Sequence, residues 1–461
     1  MLRLPAIASC KPLSALARLR SSCALARLRS NYALARLQSS YPLARIPLGC
    51  ALALACYAFA PLCLAEEFEV NPPDSAVVSN ELPPPRPKRP PVSAVEEIGR
   101  KLFFDPALSA SGKLACASCH DPKHAYAPAN ALAVQLGGPD LRAEGPRAAP
   151  SLRYQQNVPL FTEHFFDEDK DESVDAGPTG GHTWDGRAAN LAEQARIPLL
   201  AAAEMANADA SQVAAKVQKA AYAAEFRQVF GENVFDKPDA AFDAVLQALS
   251  VFQQNPEEFY PYSSKYDAFL RGEARLSRRE ARGLELFNDP DKGNCAACHP
   301  SQRGKNKSLP SFSDFGFIAT AAPRNRKLAA NADPNYYDLG LCGPYREDFK
   351  EQKNYCGLFR APTLRNVATR KAFFHNGVFH SLEQVMHFYV ERDLHPEKWY
   401  PRTAQGHIEK YDDLPPAYRQ NVNQEAPFPG KNGKPALNER EIRDIIAFLK
   451  TLNDDWRAPK H

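Results

Sequence analysis

Acidic residues are missing from the first 65 positions, which carry eight basic ones: Arg3, Lys11, Arg18, Arg20, Arg27, Arg29, Arg36 and Arg45. Long apolar runs are missing everywhere after Ala65, the last being Ile46 to Ala65. Basic lead, apolar run and a small residue before Glu66-Glu67 predict that residues 1–65 are an export signal cut near Ala65. An uncleaved anchor is the first alternative, because the run just reaches spanning length. An organelle transit peptide, suggested by the acid-free, Arg-rich lead, is the second. The lead also repeats Ala-Leu-Ala-Arg-Leu every nine residues at Ala15, Ala24 and Ala33. A basic patch is the third absence. Past residue 65 the balance is 49 Lys and Arg against 54 Asp and Glu, a net −5 in place of +3, which leaves nothing to bind nucleic acid.

Cysteine is sparse beyond the lead: Cys10, Cys23, Cys50, Cys56 and Cys63 all precede residue 66, leaving six of 11. Four of the six form Cys116-Ala117-Ser118-Cys119-His120 and its return as Cys295-Ala296-Ala297-Cys298-His299. The pattern C-x-x-C-H attaches a c-type haem: two thiols bond the porphyrin and the adjacent imidazole binds iron. A thioredoxin-like redox pair or half of a zinc site would leave the following His unexplained. Two covalently bound haem c groups are therefore expected, held by Cys116, Cys119 and His120 and by Cys295, Cys298 and His299, in a setting that fits a periplasm. Cys342 and Cys356 remain, and an even remainder in an exported chain predicts one disulfide.

Residues 66–92 are Pro-rich, with Pro83-Pro84-Pro85 and Pro90-Pro91, and predict an extended linker. Folded structure is expected from Ser93, which with Glu96 forms a capping box ahead of Val95, Ile98 and Leu102. Asp209 with Gln212, Pro238, Ser277 with Glu280, Ser381 with Gln384, and Asn438 with Glu441 open further helices. Each motif follows a short capped helix ending in a Phe-Phe or Leu-Phe pair, so one module is used twice. The expected fold is mainly α, with two cytochrome c-like haem domains, 93–265 and 266–461, packed around an inter-haem interface.

Several further motifs resemble the bacterial di-haem cytochrome c peroxidase and MauG family. They are Gly99-Arg100-Lys101-Leu102-Phe103-Phe104-Asp105-Pro106, Trp184-Asp185-Gly186-Arg187, Phe359-Arg360-Ala361-Pro362-Thr363-Leu364-Arg365-Asn366 and Phe374-His375-Asn376-Gly377. By that resemblance Trp184 lies between the haems and couples them. Gln194, Pro198 and Glu204 fall where the family places the distal residues of the peroxide-binding haem, and a Glu there serves as general acid/base. For the second haem, Leu382, Val385, Met386 and Tyr389 form the inward stripe of a helix. Met386 and Tyr389 are both eligible as sixth ligand. The resemblance implies Tyr389, with Met386 as runner-up, since the MauG branch has Tyr at that position.

The sequence departs from the family in three places. Leu136 stands where related peroxidases hold a blocking His, although His124, His164 and His182 remain in the same loop region. Ala148 stands where the family's inter-haem calcium uses an Asn, which makes calcium doubtful. Lys292-Gly293-Asn294 replaces the Trp through which MauG relays charge to a protein partner. The implied activity is reduction of hydrogen peroxide with electrons from a small donor such as cytochrome c or a cupredoxin, which a mildly acidic surface suits. The alternative is a MauG-like enzyme modifying a protein partner through a bis-ferryl state; a third, a plain di-haem electron carrier, sits badly with Glu204 and Gln194. Monomer and homodimer are both left open.

Overall fold

The structure, a computed structural model, describes residues 93–166, 173–430 and 432–458, which fall within one compact unit. The expected export signal, 1–65, and linker, 66–92, lie outside the described residues. The first half carries α1 (Ala94–Phe104), α2 (Cys116–Cys119), α3 (Leu191–Leu200), α4 (Ala210–Gln218), α5 (Ala223–Phe230), α6 (Pro238–Phe252) and α7 (Pro256–Phe259). The second carries α8 (Lys265–Leu270), α9 (Arg278–Asn288), α10 (Leu382–Glu391) and α11 (Glu439–Lys450). Sheet among the described residues is limited to two antiparallel pairs: β1 (Leu136–Gly137) with β2 (Ala143–Glu144), and β3 (Phe317–Ile318) with β4 (Phe359–Arg360). The chain is therefore mainly α. No helix among the described residues is long and apolar enough to cross a membrane.

Helix starts follow local chemistry. The Ser93 hydroxyl accepts from the Glu96 N–H at 3.1 Å, and the Glu96 carboxylate accepts from the Asn255 side chain. Full capping boxes open α9 at Ser277 and Glu280 and α11 at Asn438 and Glu441. Each half then buries a helix pair crossing at a glycine. In α1 a Cβ on Gly99 would lie 2.0 Å from the Ala248 carbonyl oxygen of α6, and in α9 a Cβ on Gly283 would lie 2.0 Å from that of Asp444 in α11. Only glycine lets backbones approach so closely.

Around these crossings stand two hydrophobic cores. The first gathers Ile98, Leu102, Phe103, Val245, Leu249 and Phe252; the second gathers Phe287, Phe312, Ile442, Ile445, Phe448 and Leu449. The polar stretch from Gln253 to Lys265 is ordered between them: Phe259 of α7 stacks on Tyr126 with centroids 4.2 Å apart, and Tyr266 of α8 enters the second core. Beyond α11, Asp454 ties back to the first half, accepting from the Tyr154 hydroxyl at 2.6 Å and the Arg153 guanidinium at 2.9 Å. Cys342 and Cys356 are joined by a disulfide, with Cα atoms 4.9 Å apart.

Candidate functional site: two cavities with a common wall

The first cavity has a volume of about 170 Å³ and the second about 210 Å³. Cys116 and Cys119 on α2 line the first, and Cys295 and Cys298 at the short turn after α9 line the second. All four thiols are free of disulfides, and burial pushes those of Cys116 and Cys295 up to about 12. His120 Nδ1–H donates to the Tyr126 carbonyl at 3.0 Å, and His299 Nδ1–H to that of Phe312 at 2.9 Å. Those bonds fix both imidazoles in the tautomer whose free Nε2 can bind a metal. Burial pushes both pKa values down to about 4, so the rings stay neutral as ligands must.

Glu204, Gln194, Pro198 and Trp184 all line the first cavity with His120. Gln194 and Pro198 belong to α3, and Glu204 sits on the turn that follows, where its N–H donates to the Ala201 carbonyl at 2.9 Å. Strand β1 seats that turn. Gly138 N–H donates to the Glu204 carbonyl at 2.8 Å, and a Cβ on Gly137 would lie 2.7 Å from the Glu204 Cα. The Glu204 carboxyl is raised above the ordinary value by burial, offset by the Arg187 charge. It takes part in no side-chain hydrogen bond with the described residues and lines the first cavity.

Trp184 lines both cavities, with Pro150, Ser151, Gln155 and Arg360. Its indole N–H donates to the Ala148 carbonyl at 2.8 Å, while the Ala148 N–H donates to the His375 carbonyl at 2.7 Å. His375 also borders the second cavity and stacks on Phe359 at 3.7 Å. Next to the tryptophan, Asp185 is fully buried and paired with Arg147 at 2.7 Å and Arg187 at 2.7 Å; Arg147 in turn grips Asp338. The two arginines hold the Asp185 carboxyl below the usual range despite its burial.

Met386 and Tyr389 both face the second cavity from α10, so the geometry leaves both eligible as a ligand. Tyr389 stacks on Phe428 at 5.0 Å, and burial pushes its hydroxyl pKa upward. Leu136 lines the first cavity and has no atom able to ligate. Of the three loop histidines, His124 pairs with Asp121 and His164 is an exposed partner of Asp175. Only His182 reaches the cavity wall, kept neutral by burial with its pKa near 4. Arg360 and Gln155 are wall residues that sequence reasoning left without a role, because nothing local marks them as facing a cavity.

A family model described as di-haem cytochrome c peroxidase matches residues 93–275. The methylamine utilization protein MauG of Paracoccus denitrificans is 33% identical over 382 residues, covering 80% of this chain and 91% of its own. The chain belongs to the di-haem cytochrome c peroxidase and MauG family. Within that family, the cytochrome c551 peroxidase of Nitrosomonas europaea is 27% identical over 375 residues, covering 78% of this chain and 80% of its own. The diheme peroxidase BthA of Burkholderia thailandensis superposes with a TM-score of 0.70 at 38% identity, covering 79% of this chain and 87% of that one. BthA has also been solved with a tyrosine replaced by methionine.

Two covalently bound haem c groups are the cofactors of this family, and the cavities fit them. Each offers two thiols outside any disulfide, a neutral imidazole oriented through Nδ1, and a volume lined by largely apolar residues. The chain is accordingly a di-haem oxidoreductase of peroxidase type.

Proposed function

We propose that the protein is a periplasmic peroxidase that reduces hydrogen peroxide to water in the first cavity, drawing electrons from a small redox protein through the second. The observation that carries this is that Glu204 shares a cavity with His120 while Trp184 shares a wall with both cavities. When bound, the haems supply iron that exchanges electrons with peroxide and with the donor. The chain's residues handle protons and order. Glu204 takes a proton from one peroxide oxygen and returns it to the other, which leaves as water; two electrons and two protons convert each peroxide to two waters. Gln194 and Pro198 shape the space beside Glu204, and Trp184 conducts between the halves. The repeated glycine crossing in α1/α6 and α9/α11 supports two cytochrome c-like domains, 93–265 and 266–461.

For the second site, Tyr389 is the sixth ligand we favour over Met386. Burial opposes loss of its proton, and a ferric iron is the charge that would reverse that balance. The BthA variant, with a tyrosine exchanged for methionine, is in keeping with a tyrosine of interest in a related diheme peroxidase. A MauG-like role on a protein partner is the second reading, favoured by the match to MauG over 91% of its length. Against MauG's own relay stands Gly293, where a Cβ would lie 2.6 Å from the Leu286 carbonyl oxygen and a tryptophan would have to displace backbone. Steady-state peroxide turnover with reduced cytochrome c or a cupredoxin tests the first reading. Full haem loading with no turnover, together with a long-lived oxidised state after peroxide, would transfer support to the second.

A further inference from the structure

Charges buried without a counter-charge are costly, and in this protein most buried guanidinium groups have a carboxylate. Arg147 has Asp185 and Asp338, Arg365 has Asp267, Arg392 has Asp393, and Arg324 has Asp413. Among the described residues Arg360 is an exception, and the partly buried Arg370 also lacks one. Arg360 is only 7% exposed. Its Nη1 donates to the Gly181 carbonyl at 2.8 Å and its Nη2 to Gln155 Oε1 at 3.2 Å, while its Nε is buried with no partner. Arg370 spends Nε and Nη2 on one carbonyl, that of Ala372, at 3.3 and 3.1 Å. Neither forms an ion pair with the described residues, and burial pushes both pKa values down to about 10.

Their positions say what would pair them. Arg370 opens onto the second cavity, and Arg360 stands in the wall shared by both. The Arg360 backbone belongs to β4 and its N–H donates to the Trp184 carbonyl at 2.8 Å, so the side chain is anchored at the root as well as at both Nη atoms. A fixed guanidinium with its Nε–H unspent suits a carboxylate, and a haem carries two carboxylate arms on its propionates. We propose that Arg360 and Arg370 anchor haem propionates, Arg360 in the wall between the two haems and Arg370 at the second. The pairing neutralises the buried guanidinium of Arg360 and the partly buried one of Arg370, neither of which has a carboxylate among the described residues. It also sets a positive charge beside both redox sites, which favours the reduced state of each.

The inference rests on haem occupancy and not on what the enzyme oxidises, so it survives or fails independently of peroxidase turnover. The test uses the fully loaded protein. Resonance Raman bands of propionate bending should shift in Arg360→Gln and in Arg370→Gln. Midpoint potentials should fall at both haems in Arg360→Gln, and more at the second than at the first in Arg370→Gln. Arg360→Lys, which keeps charge but loses the fork, should retain most of the potential while shifting the Raman bands. Unchanged bands and potentials in folded variants would overturn the proposal. Should the variants fail to fold, a crystal structure of the unaltered protein decides: a propionate oxygen within about 3.2 Å of Arg360 Nε supports it, and propionates directed away from both arginines overturn it.

Discussion

The two cavities are alike at the base and unlike at the roof. Each base is a C-x-x-C-H segment after a capped helix, with its His Nδ1 tied to a backbone carbonyl and its core built on a glycine crossing. Over the first cavity lies a turn that presents Glu204, a carboxyl with no side-chain partner among the described residues, steadied by β1. Over the second lies a continuous helix, α10, that presents Met386 and Tyr389 among aromatic rings. Attachment is therefore common property, whereas reactivity is assigned by elements far from the motif. A turn leaves room and a spare acid; a helix offers two side chains able to ligate.

The largest expected effect comes from removing that spare acid. Glu204→Gln should lower peroxide turnover by about 10²–10⁴-fold, the usual worth of a positioned general acid/base. Haem loading and the spectrum of the second haem should not change. A loss of less than about tenfold would mean that the roofs do not differ in the way described here.

Equivalence of the bases is tested by the glycines. Gly99→Ala and Gly283→Ala each press a methyl into a carbonyl oxygen 2.0 Å away, and each should cost about 1–3 kcal/mol in denaturant unfolding of the holoprotein. Similar costs support a duplicated base. If one glycine tolerates alanine without loss, the two helix pairs are not the same device.

Third comes the second roof. Tyr389→Phe should alter the absorption and EPR signals of the second haem and leave the first as it was, while Met386→Leu, a volume-conserving exchange costing under about 1.5 kcal/mol, should leave both. The reverse pattern would assign the ligand to Met386. The helical stripe alone left this choice open, since α10 turns both residues to the same cavity, and only the family resemblance pointed to Tyr389. What sequence reasoning read well was local: caps, attachment motifs, the disulfide pair and helix faces depend on neighbours a few residues away. What it missed depends on contacts far apart in the chain. Gly99 meets Ala248, β1 seats Glu204, and Arg360 is held by Gly181 and Gln155. Likewise His182 read as one loop histidine among three, and only the fold separates it from His124 and His164.

The smallest effect is on pH dependence, and its sign follows from the surroundings of Glu204. Burial raises the carboxyl above its ordinary value, and the Arg187 charge works in the opposite direction. As a base toward peroxide Glu204 must be ionised, so the acid limb of turnover should lie at higher pH than for an exposed glutamate. Arg187→Gln removes the cation that favours ionisation, and the limb should move to still higher pH. Asp185 keeps Arg147 as a partner at 2.7 Å, so Trp184 should hold its place and electron transfer between the haems should persist. A limb that stays fixed in Arg187→Gln while turnover at high pH is unchanged would show that the titrating group of the first cavity is not Glu204. His182, the other titratable wall residue without a pairing role, would then be the next to substitute.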